Sequence, residues 1–248
     1  MNIALIGYGQ MGKEIEKIAR ERGHAISSII DPHVKEAPFK TITEQTLKKC
    51  DVAIDFTHPS VVVDNIKKIT QLKKNMVVGT TGWYGHLIEV EALVKKSKTS
   101  LIYASNFSLG VHLFYTLIES SAKIMNHFPS YDIGGYEFHH SKKADSPSGT
   151  AKSLGEILLK NIKRKKTMVY NTLNRKLSPE EIHFASLRVG EIPGTHAVLY
   201  DSLADTIELK HTARSRTGFA LGAVMAAEFI QDKKGFFTIN EMMENLLK

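Results

Sequence analysis

Cysteine is all but missing from this 248-residue chain: Cys50 stands alone. No internal disulfide can form, and a reducing, cytoplasmic setting is the expectation. No run of 18 apolar residues occurs, which excludes a membrane-spanning helix and any membrane partner that one would imply. The chain opens MNIALIGYGQMG, without a basic leader before a cleavable apolar segment, so a secretory signal is not expected. Aromatics make up only 8%, and none interrupts the lysine runs at 95–98 (KKSK) and 163–166 (KRKK). Neither helix-turn-helix nor zinc-ligand spacing accompanies the net charge of +7. Nucleic acid is therefore not the expected partner. The lysine runs read as solvated helix ends whose cations complement the helix dipole, and the excess charge favours small anionic ligands.

What is present is core-forming material, 42% hydrophobic against 24% charged residues, which argues against disorder. NIALIG (2–7) is an apolar run ending at glycine, as a buried parallel strand would. MGKEIEKIARERG then sets Met11, Ile15 and Ile18 on one helical face and stops at Gly23. The alternation recurs through HAISSIID, DVAIDF, HPSVVVDNIKKITQLKK, NMVVGTTGW, HLIEVEALVKKSK and SLIYASNF. Strands alternating with helices through short connections predict an α/β fold with a doubly wound parallel sheet over residues 1–107. After Phe107 the texture changes. A helix and the strand-like YDIGGYEFHH are followed by IHFASLRV, THAVLYD and DTIELKH with no helices between them. They predict a second, α+β domain over 108–214 with a mixed or antiparallel sheet. The helices GFALGAVMAAEFI and INEMMENLL, within 215–248, are expected to pack back on the first domain.

Gly7-Tyr8-Gly9-Gln10-Met11-Gly12 matches GxGxxG between strand and helix, the Rossmann-type arrangement. The first glycine permits a tight turn, and the second lets a pyrophosphate approach the backbone. The third lets the helix pack closely, its positive end toward the phosphates. Asp31, ending the second strand, can accept the adenosine ribose hydroxyls and so favours NAD, while His33 and Lys35 could offset its repulsion of a 2′-phosphate. NADPH and NADH both remain open. The strand-end loops Gly79-Thr80-Thr81 and Ala104-Ser105-Asn106-Phe107 fall where such a sheet presents loops to the nicotinamide half; ordinary turn chemistry is the plainer alternative.

The stretch FHHSKKADSPSGTAKSLGEIL, residues 138–158, concentrates other chemistry. An imidazole such as that of His139, with an ordinary pKa of about 6.5, trades protons near neutrality. A lysine donates a proton or holds a carboxylate. Ser-Pro-Ser-Gly-Thr then opens a helix, with serine as N-cap and proline in the first turn, and the amides of Gly149 and Thr150 are aimed at an anion. Adjacent histidines suggest a metal, but neighbours on a strand face opposite ways and no further ligand-spaced acid or histidine stands beside them, so no metal is expected. A carboxylate-bearing substrate awaiting hydride and proton would need this set.

These residues carry a resemblance. HHSKKADSPSGTA resembles the HHxxKxDAPSGTA signature of bacterial dihydrodipicolinate (4-hydroxy-tetrahydrodipicolinate) reductases, enzymes of lysine and diaminopimelate synthesis. IGYGQMG, AIDFTHP, VVGTTGW, ASNFSLGV, RVGEIPGTH and ARSRTGFALGAV extend it over nearly the whole chain. Ser146 stands where the family usually has alanine, and the glycine loop is one residue shorter than in many members. The resemblance implies an NAD(P)H-dependent oxidoreductase that takes 4-hydroxy-tetrahydrodipicolinate, via dihydrodipicolinate, to tetrahydrodipicolinate. By the same resemblance His139 is the proton donor/acceptor and Lys143 the proton donor. His140, Gly149 and Thr150 bind a small dicarboxylate, with Arg188 and Arg216 as further candidates near it. It also implies a homotetramer joined through the second domain's sheet. Two alternatives stand beside it: a related amino- or imino-acid dehydrogenase, acting for example on aspartate, and a non-catalytic dinucleotide-sensing protein.

Overall fold

A computed structural model describes residues 1–247 and divides the chain into two compact units. The first comprises Met1–Leu109 together with the chain from Arg216 onward; the second is Gly110–Ser215.

In the first unit, β1 (Asn2–Ile6), α1 (Gln10–Glu21) and β2 (Ala25–Ile30) are followed by the single turn α2 (Glu44–Leu47). Then come β3 (Val52–Asp55), α3 (Pro59–Gln71), β4 (Asn75–Val78), α4 (Leu87–Ser97) and β5 (Ser100–Tyr103). The sheet is parallel throughout, in the order β11-β5-β4-β3-β1-β2, where β11 is Gly235–Thr238. Its strand direction of growth reverses between β1 and β3, which is where such sheets open a ligand crevice.

Both faces of the central strands are covered, so they are apolar without alternation. Ile3, Leu5, Val52, Ile54 and Val77 point into one core with α1 and the late helices α7 (Thr217–Ile230) and α8 (Ile239–Leu246). Ala4, Ile6, Ala53, Met76 and Val78 point into the other, with Val62, Ile66 and Ile69 of α3 and Val90 and Val94 of α4. The late helices thus pack on the first unit's sheet. Strand β11 is an addition to the sequence-based expectation: GFFT is only four residues and runs straight into α8, leaving no turn signal to announce it.

In the second unit the order is α5 (Leu109–Met125), β6 (Asp132–His139), α6 (Gly149–Asn161), β7 (Thr167–Val169), β8 (Glu181–Arg188), β9 (Thr195–Asp201) and β10 (Thr206–Thr212). The sheet is mixed, β10-β9-β6-β8-β7, with β6–β8 and β7–β8 parallel and the other pairs antiparallel. Ile133 on β6, Ile182 and Phe184 on β8, and Val198 and Tyr200 on β9 pack beneath Phe114 and Ile118 of α5 and Leu154 and Leu158 of α6. Burying each such aliphatic side chain stabilises by roughly 1.5–3 kcal/mol. Three-residue β7 also escaped the sequence reading, being too short to show a period.

One close approach orders a strand-end loop. A Cβ at Gly222 on α7 would collide with the carbonyl oxygen of Phe107, whereas one at Gly218 would meet only Ser108 Oγ at 3.6 Å. Gly222→Ala is therefore expected to cost about 2 kcal/mol or more through overpacking. Gly218→Ala should be neutral or slightly stabilising. Urea denaturation of the two variants side by side checks this, and equal midpoints would contradict it.

Candidate active site

The glycine turn is shaped by contact rather than by flexibility alone. Gly7 has φ +88°, and a Cβ there would strike the Phe56 carbonyl; a Cβ on Gly12 would strike the carbonyl of Gly7. Gly9, the N-cap of α1, has nothing within 4 Å of its missing Cβ. Gly9, Gln10, Met11, Gly79, Thr80 and Thr81 line one cleft of about 400 Å³ at the strands' C-terminal ends. The first amides of α1 have no intrahelical acceptors, so this end of the cleft suits an anion.

Asp31 is more committed than its sequence position suggested. Its carboxylate accepts the amides of Tyr8 at 2.8 Å, His33 at 2.8 Å and Val34 at 3.0 Å. Burial works against its charge, but those amides hold its pKa below the usual carboxylate range. It ties the glycine turn to the following loop and keeps acceptor capacity at Oδ2. Ala104, Ser105, Asn106 and Phe107 do not line this cleft. Ala104 and Phe107 are buried, and Phe107 packs against Phe56 with ring centroids 6.1 Å apart.

Phe56, Thr57 and Pro59 line the cleft and escaped the sequence reading, and Arg216 lines it as well. Arg216, expected near the substrate, belongs to the first unit at the start of α7. Behind them lies Asp55, fully buried at the end of β3. It accepts Thr57 Oγ1 at 2.8 Å, Thr80 Oγ1 at 2.7 Å and Asn65 Nδ2 at 2.9 Å. Burial raises its pKa despite those bonds, and the network fixes both threonines of the cleft.

The second unit holds the histidine–lysine stretch. His139 ends β6 and is buried; its pKa is pushed from the usual 6.5 to about 4, chiefly by burial, with the cations of Lys143 and Arg188 adding to the effect. It is thus neutral near pH 7 in the unliganded chain, a departure from the expectation of an imidazole titrating near neutrality. His140 follows the strand, half-buried, with its Nδ1 unpartnered. Lys143 pairs with Asp145 at 2.6 Å, while Lys142 pairs with Glu191 on the open surface. Gly149 begins α6 behind the N-cap Ser148, whose hydroxyl accepts the Ala151 amide at 3.1 Å. The amides of Gly149 and Thr150 occupy the first two helical positions, where no intrahelical acceptor exists. Pro147 lies before the N-cap, outside the helix, rather than in its first turn.

The structure also corrects the expectation that no acid or histidine stands beside the histidine pair. Glu137, two residues before His139 and on the same face of β6, is fully buried, and His196 sits directly across from it on β9. Glu137 Oε2 lies 3.5 Å from His139 Nδ1 and 3.3 Å from His196 Nε2. These three side chains could bracket a cation by distance. The carboxylate's acceptor sites are taken up, although His139 Nδ1 and His196 Nδ1 have no hydrogen-bond partner. Glu137 Oε1 accepts Ser148 N at 3.0 Å, Ser186 Oγ at 2.8 Å and Arg188 Nη2 at 3.0 Å, and Oε2 accepts the Ser148 hydroxyl. Burial alone would raise this carboxyl; the bonds from His196, Ser148 and Ser186 override it and keep it ionised far below the usual range. The set reads as a hydrogen-bond hub, not a ligand cage. The period-two alternation of YEFHH was the signal that could have exposed Glu137.

A cleft lined by the glycine turn of a parallel sheet, with a histidine–lysine stretch before a helix start in the second unit, fits an oxidoreductase that uses a nicotinamide dinucleotide. Two family models cover the chain: the dihydrodipicolinate reductase N-terminus over residues 1–107 and its C-terminus over 110–243. The chain belongs to the dihydrodipicolinate reductase family. It is 40% identical to the 4-hydroxy-tetrahydrodipicolinate reductase of Christiangramia forsetii over 248 residues, covering 100% of both chains. It is 34% identical to that of Staphylococcus aureus, covering 98% of this chain and 100% of the other. Among solved structures, a dipicolinate-bound dihydrodipicolinate reductase from Paenisporosarcina sp. TG-14 matches with TM-score 0.76 at 22% identity, over 97% of this chain and 98% of that one. An amine dehydrogenase from Mycobacterium smegmatis also matches, at TM-score 0.60 and 11% identity over 97% and 95%. The fold alone therefore does not choose the chemistry; the sequence relatives do.

Two outcomes are expected. Gly9→Ala should leave stability intact and weaken dinucleotide binding about tenfold, roughly 1.4 kcal/mol, by occupying the cleft. Gly12→Ala should lower stability by about 1–3 kcal/mol. Nicotinamide fluorescence titration and thermal melts separate the two. Second, His139 binds its proton more readily when unfolded than when folded, so stability should fall as pH drops from about 6.5 toward 4. The loss is on the order of 3 kcal/mol at most. His211, also shifted down by burial, adds to the same slope. Melts across that window should show a shallower slope for His139→Asn than for the unaltered chain.

Proposed function

We infer that this chain reduces 4-hydroxy-tetrahydrodipicolinate, via dihydrodipicolinate, to tetrahydrodipicolinate in diaminopimelate and lysine biosynthesis. The carrying observation is that the family's HHxxK and SGT elements fold into a single place: the end of β6, the turn after it and the N-terminus of α6. The residues of the first unit's cleft fit a dinucleotide, with an open Gly9, an anion-facing start of α1 and Asp31 beside them. NADPH or NADH, when bound there, supplies the hydride.

The substrate's carboxylates are held by the amides of Gly149 and Thr150, by His140 and by the ammonium of Lys143. Lys143 and His139 handle the proton that must reach the ring as its C=N bond is reduced. His139 is neutral when the site is empty, and an arriving dianion raises its proton affinity, so binding itself prepares the donor. Arg216 lines the same cleft and offers its cation to the dinucleotide's anionic part. The chain works in the cytoplasm as a homotetramer joined through the second unit's sheet. Leu187 on β8 and Ile207 on the edge strand β10, 51% and 40% exposed, supply apolar surface for that contact.

Purified protein given the condensation product of pyruvate and aspartate semialdehyde should oxidise NADPH or NADH, followed by loss of nicotinamide absorbance. No turnover with either cofactor would sink the reading. Lys143→Ala should lower kcat on the order of 10²-fold or more while leaving dinucleotide affinity nearly unchanged. Collapse of dinucleotide binding in that variant would remove Lys143 from the proton-transfer role.

A further inference from the structure

Beneath the substrate cradle runs a row of polar side chains across the second sheet. The register pairs His211 on β10 with His196 on β9, His196 with Glu137 on β6, and Glu137 with Ser186 on β8. One step further along, His139 pairs with Arg188. Four of these side chains, His139, His196, Ser186 and Arg188, meet one carboxylate that is wholly out of solvent. Both oxygens of Glu137 hold Ser148, and each has further partners of its own. Oε1 takes the Ser148 amide and the Arg188 guanidinium, and Arg188 in turn holds the Asp145 carbonyl at 2.6 Å. Oε2 takes the Ser148 hydroxyl and lies against both imidazoles. Nothing about this carboxylate reaches outward to a ligand.

We propose that Glu137 is the positioning residue of the reaction, one buried carboxylate that sets both the N-terminus of α6 and the ring of His139. The inference rests on the reductase reading above and deepens it. Through Ser148 it orients the helix end whose amides meet the substrate's carboxylates. Through Oε2 it faces the ring edge of His139, so the proton is handled at the opposite edge, near Gly194, where a Cβ would sit 3.2 Å from Nε2. Among the described residues it is also the one anion facing His139: the other charged or titratable groups around that ring are His196, Lys143 and Arg188, with Asp145 engaged by Lys143. A cationic ring formed in the reaction therefore has its counter-charge already in place, with no reorganisation.

The test is Glu137→Gln in the full chain, which keeps the shape and removes the charge. Expected are a fall in kcat on the order of 10²-fold, weaker binding of pyridine-2,6-dicarboxylate, and NADPH affinity within about twofold of the parent. The limb of the kcat/KM profile that titrates with His139 should move to lower pH, whichever protonation state is active, because the ring loses an anion. A merely structural role would lower stability without moving that limb. Should Glu137→Gln fold poorly, Ser186→Ala removes one donor to Glu137 without touching a reacting group. It leaves the carboxylate's charge less neutralised, so the same limb should move to higher pH, and a limb that stays in place would count against the role. A parent chain that neither binds the dicarboxylate nor turns over the substrate removes the reductase reading and this role with it. An active parent with an indifferent Glu137→Gln removes the role alone.

Discussion

The second unit is organised around a carboxylate that physical chemistry would rather leave in water. Taking an unpaired carboxylate out of solvent costs several kcal/mol, and the group ordinarily neutralises instead. Glu137 stays ionised because four residues on three elements reach it: Ser186 and Arg188 of β8, His196 of β9, and Ser148 at the start of α6. Withdrawing any of these partners weakens the compensation of a buried charge. The sheet register, the helix start and the setting of two imidazoles are therefore coupled through one residue. Mixed pairing is what makes this possible, since a parallel and an antiparallel neighbour flank β6 and bring donors from distant parts of the chain to the same rank.

The first unit solves its own problem in the same way. Asp55 ends β3, is equally buried, and receives hydroxyls from Thr57 and Thr80 and the amide of Asn65. Two loops that follow neighbouring parallel strands, β3 and β4, are thereby locked to each other where the cleft opens. Backbone contact does the rest: the Phe56 carbonyl leaves no room for a side chain at Gly7, and the Phe56 ring leaves none at Gly79. In both units, an interior acid near a strand's C-terminal end trades stability for a loop geometry that apolar packing could not specify.

This division explains what could be read from the residues alone. Apolar runs and helical stripes announce themselves locally, so β1 through β5, their helices and the glycine turn were legible, as was the His139–Thr150 stretch with its helix start. Elements that need a partner to exist were not: β7 and β11 are three and four residues long and are strands only because β8 and β5 lie beside them. The same holds for the site. His139 and Lys143 sit in one short stretch, whereas His196 and Ser186 reach Glu137 by cross-strand register. The state of His139 was equally out of reach, since a pKa near 4 comes from burial and from cations brought by folding. That Arg216 belongs with the first unit was likewise not legible, because chain order puts it next to the second unit while α7 carries it into the first.

The cations around the substrate cradle divide by how firmly they are held, and that division assigns them. Arg188 meets a carboxylate with no solvent exposure, and breaking such a buried pair strands a charge at a cost of several kcal/mol. It cannot exchange Glu137 for an incoming ligand. Lys143 instead meets Asp145, whose side chain is 54% exposed, and ion pairs with that much water around them are worth about 0–1 kcal/mol. A substrate carboxylate offering similar geometry can displace Asp145 at almost no cost. Proximity alone would rank the two cations together; exchangeability separates them. The ammonium is free to follow the ligand, and the guanidinium stays with the acid that shapes the site.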